Sequence, residues 1–260
     1  MKTRIYLLAA LGLFSVSLPA KDYLVSTGNT SLLLKGEKPK FQYYGSRISP
    51  ADIQSVYDSG LAFNADSYPV FGLNTAGERA MAVTHADGNM SLDLAVEEVR
   101  QYADDEGEIT EICMKDKVYP FCVKQCFKAY KESDIISTWV EAENMGKKPV
   151  TLYRFASAFL PVRRGENWLT HFHGHWGAES TMEEEKLTNG QKVISNKDGL
   201  VNTETDNPSF MISLDGKPQE ESGQVFGGTL AWTGNYLIKM DLRNTQFNVI
   251  AGINEETSHY

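Results

Sequence analysis

Hydrophobic and polar residues alternate along most of the chain, in short runs separated by turn-forming residues. The run "YPFCVKQCFKAY" is typical, and a period of two predicts a β-strand that buries one face. Helical periodicity is scarce: only "SPADIQSVYDSG" predicts a short helix, with Ser49 as its N-cap. The pattern therefore predicts an all-β fold, a large antiparallel β-sandwich (a supersandwich) with few short helices.

Turn signals lie between these runs and predict where the chain reverses. Three of them stand between two alternating runs and predict hairpins: Gly28-Asn29, residues 86–89 and residues 144–149. Thr233-Gly234-Asn235 predicts a further turn or bulge, and "TQFNVIAGIN" predicts one more strand. The polar stretch 180–209 predicts a solvated hairpin and loop, in which the run from Glu183 to Glu185 is surface charge. No repeat or linker divides residues 21–260, so we expect a single domain there.

The first twenty residues have the pattern of a secretory signal peptide. Lys2 and Arg4 precede an apolar run over residues 5–20, which is shorter than the roughly 20 apolar residues of a membrane span. We expect cleavage between Ser17 and Lys21 and export to the periplasm or the extracellular space. No other long apolar stretch follows, so no membrane span is predicted.

The charge of the chain argues against a nucleic-acid partner. The formal net charge is −9, and without Lys2 and Arg4 the remaining 23 basic and 34 acidic residues give −11. No basic cluster is present that would follow a phosphate backbone.

Three cysteines, an odd number, do not indicate a disulfide scaffold. Cys122 and Cys126 are four residues apart on one predicted strand, about 13 Å, and cannot bridge each other without bending it. A Cys113–Cys122 bridge across a hairpin stays open as an alternative. We favour buried thiols that pack as small hydrophobic groups.

The segment "LTHFHGHWGAES" concentrates the candidate chemistry. His171, His173 and His175 alternate, and on a strand their rings would share one face and could bind zinc, as in a zinc hydrolase. Gly174 and Gly177 instead favour a loop, so we interpret the histidines as polar loop residues and predict no metal or cofactor.

Trp176, in the same segment, offers a flat apolar ring with one N–H donor. Such a ring can stack on the C–H face of a sugar, whose hydroxyl groups then seek polar neighbours. The alternative is that Trp176 fills a core, but its neighbours are histidine, glycine and glutamate rather than aliphatic residues. Trp139, within "IISTWVEAE", is the tryptophan that we expect in the core.

The order of several motifs resembles the N-terminal domain of glycoside hydrolase family 36, the α-galactosidases. The motifs are "YYGSRI", "NADSYPVFG", "VTHADGNMSLDL", "VEAENMGKKPVTLYR", "WLTHFHGHWGAE", "NPSF" and "VFGGTLAWTGNYLIKMD". The resemblance covers residues 23–254. It implies a large β-sandwich that precedes a catalytic (β/α)₈ barrel, in an enzyme that retains configuration by means of two carboxylates on the barrel.

The resemblance also implies what this chain contributes. The barrel's Lys-Trp-Asp motif does not occur, so we expect no catalytic residue and no activity from this chain alone. The sandwich is expected to be incomplete at its C-terminal end, and its full-length family forms homo-oligomers. The loop matching "HFHGHWGAE" implies that Trp176 enters a galactose pocket, commonly that of a neighbouring subunit.

An aspartate before the Tyr-Pro pair is implied as a second sugar contact. Asp58 and Asp66 are the candidates; Asp66 is favoured, and a turn or cap role remains the alternative for both. The predicted function is therefore a non-catalytic domain of an exported α-galactosidase, with a stand-alone carbohydrate-binding module as the alternative.

Overall fold

The structure, a computed structural model, describes residues 21–72, 77–200 and 206–257. The predicted signal peptide, residues 1–20, lies outside the described residues. Strands account for 54% of the structure, which confirms the all-β class. In the described ranges, no helix has the length and apolar character that crossing a membrane requires.

The described residues form one α-helix and seventeen strands. The helix α1 is Ile53–Asp58, and a 3₁₀ turn, Pro50–Asp52, precedes it. The strands are β1 (Asp22–Ser26), β2 (Thr30–Lys35), β3 (Lys40–Ser46), β4 (Ala65–Asp66), β5 (Met81–Thr84), β6 (Leu94–Ala103), β7 (Gly107–Asp116), β8 (Phe121–Tyr130), β9 (Ile136–Asn144), β10 (Thr151–Pro161), β11 (Trp168–His173), β12 (Thr181–Lys186), β13 (Gly190–Asn196), β14 (Asp206–Ser213), β15 (Val225–Thr229), β16 (Tyr236–Leu242) and β17 (Phe247–Ile253).

These strands form four small antiparallel sheets in a propeller-like ring, and not clearly one sandwich as the pattern predicted. The first sheet has the order β1-β2-β3-β4, and the second has the order β13-β16-β17-β10-β5. The third is β12-β11-β14-β15, and the fourth is β6-β7-β8-β9. The short alternating runs predicted strands correctly, but they do not encode how many sheets the strands build.

Two hydrophobic clusters hold the sheets together, and strand β17 of the second sheet lies between them. On β17, Ile250 belongs to the first cluster, whereas Val249 and Ala251 belong to the second. Successive side chains of a strand point to opposite faces, so β17 is covered on both. This explains why its sequence, "FNVIAGI", is nearly continuous in apolar residues instead of alternating.

The predicted helix is confirmed at its predicted place. The carboxylate of Asp52 accepts hydrogen bonds from the N–H of Ser49 at 2.8 Å and from its hydroxyl at 2.7 Å. Ser49 thus begins the helical segment as expected, since a paired Ser and acidic residue three positions apart satisfy free donors at a helix start.

Of the predicted hairpins, only the first joins paired strands. β1 and β2 pair across the turn at Gly28. Residues 85–89 form a tight turn, with the Gly88 N–H donating to the His85 carbonyl at 2.8 Å, but β5 pairs with β10 and β6 pairs with β7. Residues 144–149 likewise lead from β9 in the fourth sheet to β10 in the second. A turn sequence fixes a local reversal, whereas the burial of each strand's apolar face decides its partner.

The prediction that Trp139 fills the core is wrong. Its side chain is only half-buried and lies on the outer face of the fourth sheet, opposite Cys126 on β8. The indole N–H donates to Glu141 at 3.3 Å. The core side of β9 is formed instead by Val140 and its neighbours of the same parity.

Candidate functional site

Trp176 lies in the turn that connects β11 to β12, and its side chain is 82% exposed. The Ala178 N–H donates to the His175 carbonyl at 2.9 Å, which closes a four-residue turn with Trp176 and Gly177 at its centre. Gly177 has φ +81°, a left-handed conformation that glycine adopts without the cost that a side chain would impose. The glycine therefore permits the turn that presents the indole to solvent.

The turn is braced from both sides, so Trp176 projects from a defined backbone. A Cβ added to Gly174 would lie 2.6 Å from the Ala178 carbonyl oxygen, which shows that the two ends of the turn are in close contact. The Gly177 N–H donates to the Glu179 carboxylate at 2.9 Å. This hydrogen bond holds the pKa of Glu179 below its usual value, so the carboxylate is the form that braces the turn.

Trp232 is a second exposed tryptophan, and it follows β15. This strand finishes at the same end of the third sheet as β11, the strand that precedes Trp176. β11 ends at His173, which pairs with Asp206 at the start of β14, and β15 runs antiparallel to β14 and ends beside it. Trp232 is 51% exposed, and its indole lies against Gly234, where an added Cβ would lie 2.8 Å from Nε1. Trp232 is not among the site residues predicted from the sequence, although its position next to the turn signal Thr233-Gly234-Asn235 indicates exposure.

Contrary to the loop prediction, His171 and His173 lie on a strand, β11, whose pairing with β14 shifts register between them. Their partner strand β12 carries the acidic run Glu183–Glu185, within the stretch for which the sequence predicts a solvated hairpin and loop. The Nε2 atom of His171 lies 3.2 Å from Glu185 Oε1, and that of His173 lies 3.2 Å from Glu183 Oε2. Cross-strand pairing places the two histidines and the two glutamates on one face of the sheet.

His171 is the buried member of this group, with a side chain only 5% exposed. Burial lowers its pKa, and the nearby charge of Lys192 lowers it further, against the opposing effect of Glu185, Glu183 and Asp206. His171 is therefore held neutral at physiological pH. His175, the third histidine, is exposed beyond the end of the strand. Within the ranges that the structure describes, no three histidine, cysteine or acidic side chains are arranged to hold a metal ion.

The two candidate aspartates lie away from the third sheet. Asp58 is the exposed last residue of α1 and accepts a hydrogen bond from Gln54 Nε2 at 2.9 Å. This is a local structural role, like the turn or cap role that is the alternative to a sugar contact. Asp66 is half-buried in β4, where it pairs with Lys40 of β3. The first sheet nevertheless touches the third, because Tyr44 of β3 stacks on Phe226 of β15 with ring centroids 4.8 Å apart.

Comparison with known proteins gives one consistent result. A family model described as the glycosyl hydrolase family 36 N-terminal domain matches residues 37–260. Alpha-galactosidase Mel36A of Lactobacillus acidophilus is 27% identical over 155 residues, which cover 58% of this chain and 21% of that protein. The chain thus spans about a fifth of the length of this relative.

Solved structures show the same fold. The α-galactosidase AgaA of Geobacillus stearothermophilus, in complex with 1-deoxygalactonojirimycin, superposes with a TM-score of 0.84 at 20% identity, over 92% of this chain and 38% of that one. An α-galactosidase of Lactobacillus brevis gives a TM-score of 0.79 at 19% identity, over 92% and 37%. The chain therefore has the fold of a little over a third of each of these proteins.

Proposed function

Because this chain belongs to the glycosyl hydrolase family 36 N-terminal domain, we propose that it is the non-catalytic β-domain of an α-galactosidase, which hydrolyses terminal α-galactosides with retention. The support is the family match together with relatives that are themselves α-galactosidases. Its partners under this proposal are a galactoside and a catalytic (β/α)₈ barrel. The chain supplies no acid or nucleophile, since the Lys-Trp-Asp motif of that barrel is absent from its sequence.

The observation that carries the proposal is the exposed indole of Trp176 on its braced turn. With 82% of its side chain exposed, Trp176 has an apolar ring face that a ligand or partner can cover. Stacking on the C–H face of a galactosyl ring would remove that surface from water, and the ring's electron-rich face suits polarised C–H bonds. Trp176 thus contributes binding and orientation, while the barrel's carboxylates cleave the bond.

The proposal also includes a second sugar contact, the subunit that holds the pocket, and export. Asp66 is the favoured sugar contact among the two aspartates, and Asp58 is the second candidate. The pocket is that of a neighbouring subunit in a homo-oligomer, which would suit a residue displayed at the outer edge of a sheet. Export to the periplasm or the extracellular space is proposed on the basic and apolar pattern of residues 1–20.

A turnover assay tests the non-catalytic role. The purified 260-residue chain, incubated with a chromogenic α-galactoside, is expected to release no product above the buffer control. Hydrolysis by this chain alone would contradict the proposal. A coding sequence that continues past the codon for Tyr260 into a barrel with a Lys-Trp-Asp motif is the expected genetic result.

A stand-alone carbohydrate-binding module is the second candidate, since the exposed pair Trp176 and Trp232 resembles an aromatic binding edge. Isothermal titration of the same chain with raffinose distinguishes the two. A complete module binds with a dissociation constant near or below about 1 mM, equivalent to about −4 kcal/mol. A single contributed ring gives no resolvable heat at that concentration.

A further inference from the structure

Two cysteines lie side by side on the outer face of the fourth sheet. In the register of β7 and β8, Cys113 pairs with Lys124 and Lys115 pairs with Cys122, so the two cysteines are diagonal neighbours on one face. Their sulfur atoms are 3.2 Å apart, and both are free thiols. Sulfur atoms this close are in contact, and removal of two protons and two electrons, together with a closer approach of the sulfur atoms, would join them covalently.

The pair is accessible from solvent. Cys113 is half-buried, and both cysteines line an open cavity of about 230 Å³. Arg100 and Lys124 lie at the same cavity together with acidic side chains, so an approaching charged disulfide compound meets cations as well as anions. Cys126, the third thiol, is fully buried and does not line the cavity.

We propose that Cys113 and Cys122 are a modification site, at which a small disulfide compound of the glutathione class converts the two thiols into a reversible intramolecular disulfide. A disulfide bond is about 2.05 Å long, so the two sulfur atoms must approach by about 1.1 Å from their present separation. Diagonal Cα atoms of antiparallel strands are about 7–8 Å apart, slightly above the usual disulfide range. The strands must therefore move slightly closer, and the bond is expected to be readily reduced again.

The reaction proceeds in two exchanges. The thiolate of Cys113, the more exposed sulfur, attacks one sulfur of oxidised glutathione, which forms a mixed disulfide and releases one glutathione thiolate. Cys122 then loses its proton to solvent and attacks the Cys113 sulfur, which releases the second glutathione. Two protein thiols are oxidised and one glutathione disulfide is reduced to two thiols.

The second exchange is expected to be the slow one. Burial raises the pKa of the Cys122 thiol and continues to do so once Cys113 has become a mixed disulfide, whereas the hydrogen bond with the Cys113 thiol, which also raises it in the reduced pair, is then lost. Only a small fraction of Cys122 is then thiolate near neutral pH. As long as the pH is below the pKa, this fraction rises about tenfold for each unit by which the pH increases. Bridge formation is therefore expected to accelerate by up to about tenfold per unit of pH in this range.

The direct test is a peptide map of the intact 260-residue chain after oxidation. The reduced protein is incubated with oxidised glutathione under native conditions and its intact mass is measured, and free thiols are then blocked before digestion. A loss of about 2 Da and a linked peptide pair containing Cys113 and Cys122 are expected. Dithiothreitol is expected to restore both thiols.

Variants separate the two steps. Cys122→Ala is expected to stop at a stable mixed disulfide between glutathione and Cys113, whereas Cys126→Ala is expected to form the bridge as the wild type does. Far-UV circular dichroism checks that each variant retains its strand content. A wild-type chain that keeps three free thiols, or a linked pair that contains Cys126, would overturn the proposal whatever the variants do.

Discussion

Replacement of Arg154 by methionine removes the centre of a partly buried ion-pair network. Arg154, on β10, contacts the carboxylates of Glu78 before β5 and of Glu255 after β17, and its Nη2 donates to Glu255 at 2.7 Å. Lys239 of β16 also donates to Glu255 at 2.7 Å. Burial opposes the ionisation of Glu255, but hydrogen bonds from Arg154 and Lys239 outweigh it and hold its pKa below the usual value.

The expected loss of stability follows from the exposure of these groups. Breaking a fully buried pair by removing one partner costs about 3–5 kcal/mol, because the other charge stays buried. The side chains of Arg154, Glu78 and Glu255 are 22%, 19% and 18% exposed, and Lys239 still pairs with Glu255. Partial solvation lowers the expected loss to about 2–3 kcal/mol, which is about 5–10 °C in Tm for a domain of this size.

Thermal unfolding followed by circular dichroism measures this effect, and the neighbouring pair Lys197–Glu256 is the matched control. Both side chains of that pair are at least half exposed, so Lys197→Met should cost less than about 0.5 kcal/mol. Arg154→Lys is expected to fall between, since an ammonium keeps the charge but loses the forked geometry. If Arg154→Met shifts Tm no more than Lys197→Met does, the network contributes nothing and the reasoning is refuted.

Two further substitutions test the backbone packing and the buried histidine. Gly107→Ala would place a Cβ 2.2 Å from the Ala129 carbonyl oxygen and should cost about 1–3 kcal/mol, as measured by urea unfolding; Gly28→Ala, with ordinary contacts only, should stay within about 0.5 kcal/mol of the wild type. Because the pKa of His171 is lowered by folding, the unfolded state binds its proton first, so stability should fall as pH drops from about 7 toward the folded pKa. The decline in Tm over this range should be smaller in His171→Gln than in the wild type, and unchanged in His175→Gln; equal declines in both variants would refute the assignment.

The elements that the sequence predicted well are those whose cause is local. Ser49 and Asp52 interact over three residues, so the short helix was visible in the pattern. The alternation over β8 likewise reflects its own buried face. The partition into four sheets was not visible, because the residues after Thr84 and after Asn144 reverse the chain without stating which strand pairs with which.

In the candidate site, too, the features with a local cause were predicted and those that depend on strand pairing were not. The glycine-rich surroundings of Trp176 indicated an exposed position, and the ring is exposed. The same glycines led to a loop prediction for His171 and His173. Strand β11 nevertheless continues to His173, and the glycines form part of the turn that follows it. The pairing of these histidines with Glu183 and Glu185 depends on the register between β11 and β12, which composition alone does not carry.

The central claim is that the indole of Trp176 contacts a galactoside, and a titration followed by nuclear magnetic resonance tests it most directly. The indole N–H signals of the ¹⁵N-labelled chain are followed as raffinose is added, with Trp139→Phe, Trp176→Phe and Trp232→Phe used to assign them. One stacked face gives weak binding, with a dissociation constant on the order of 10 mM. The account predicts a saturable shift of the Trp176 signal that persists in Trp232→Phe, with the Trp139 signal unmoved; a Trp176 signal that stays fixed, or that shifts no more than Trp139, would contradict it.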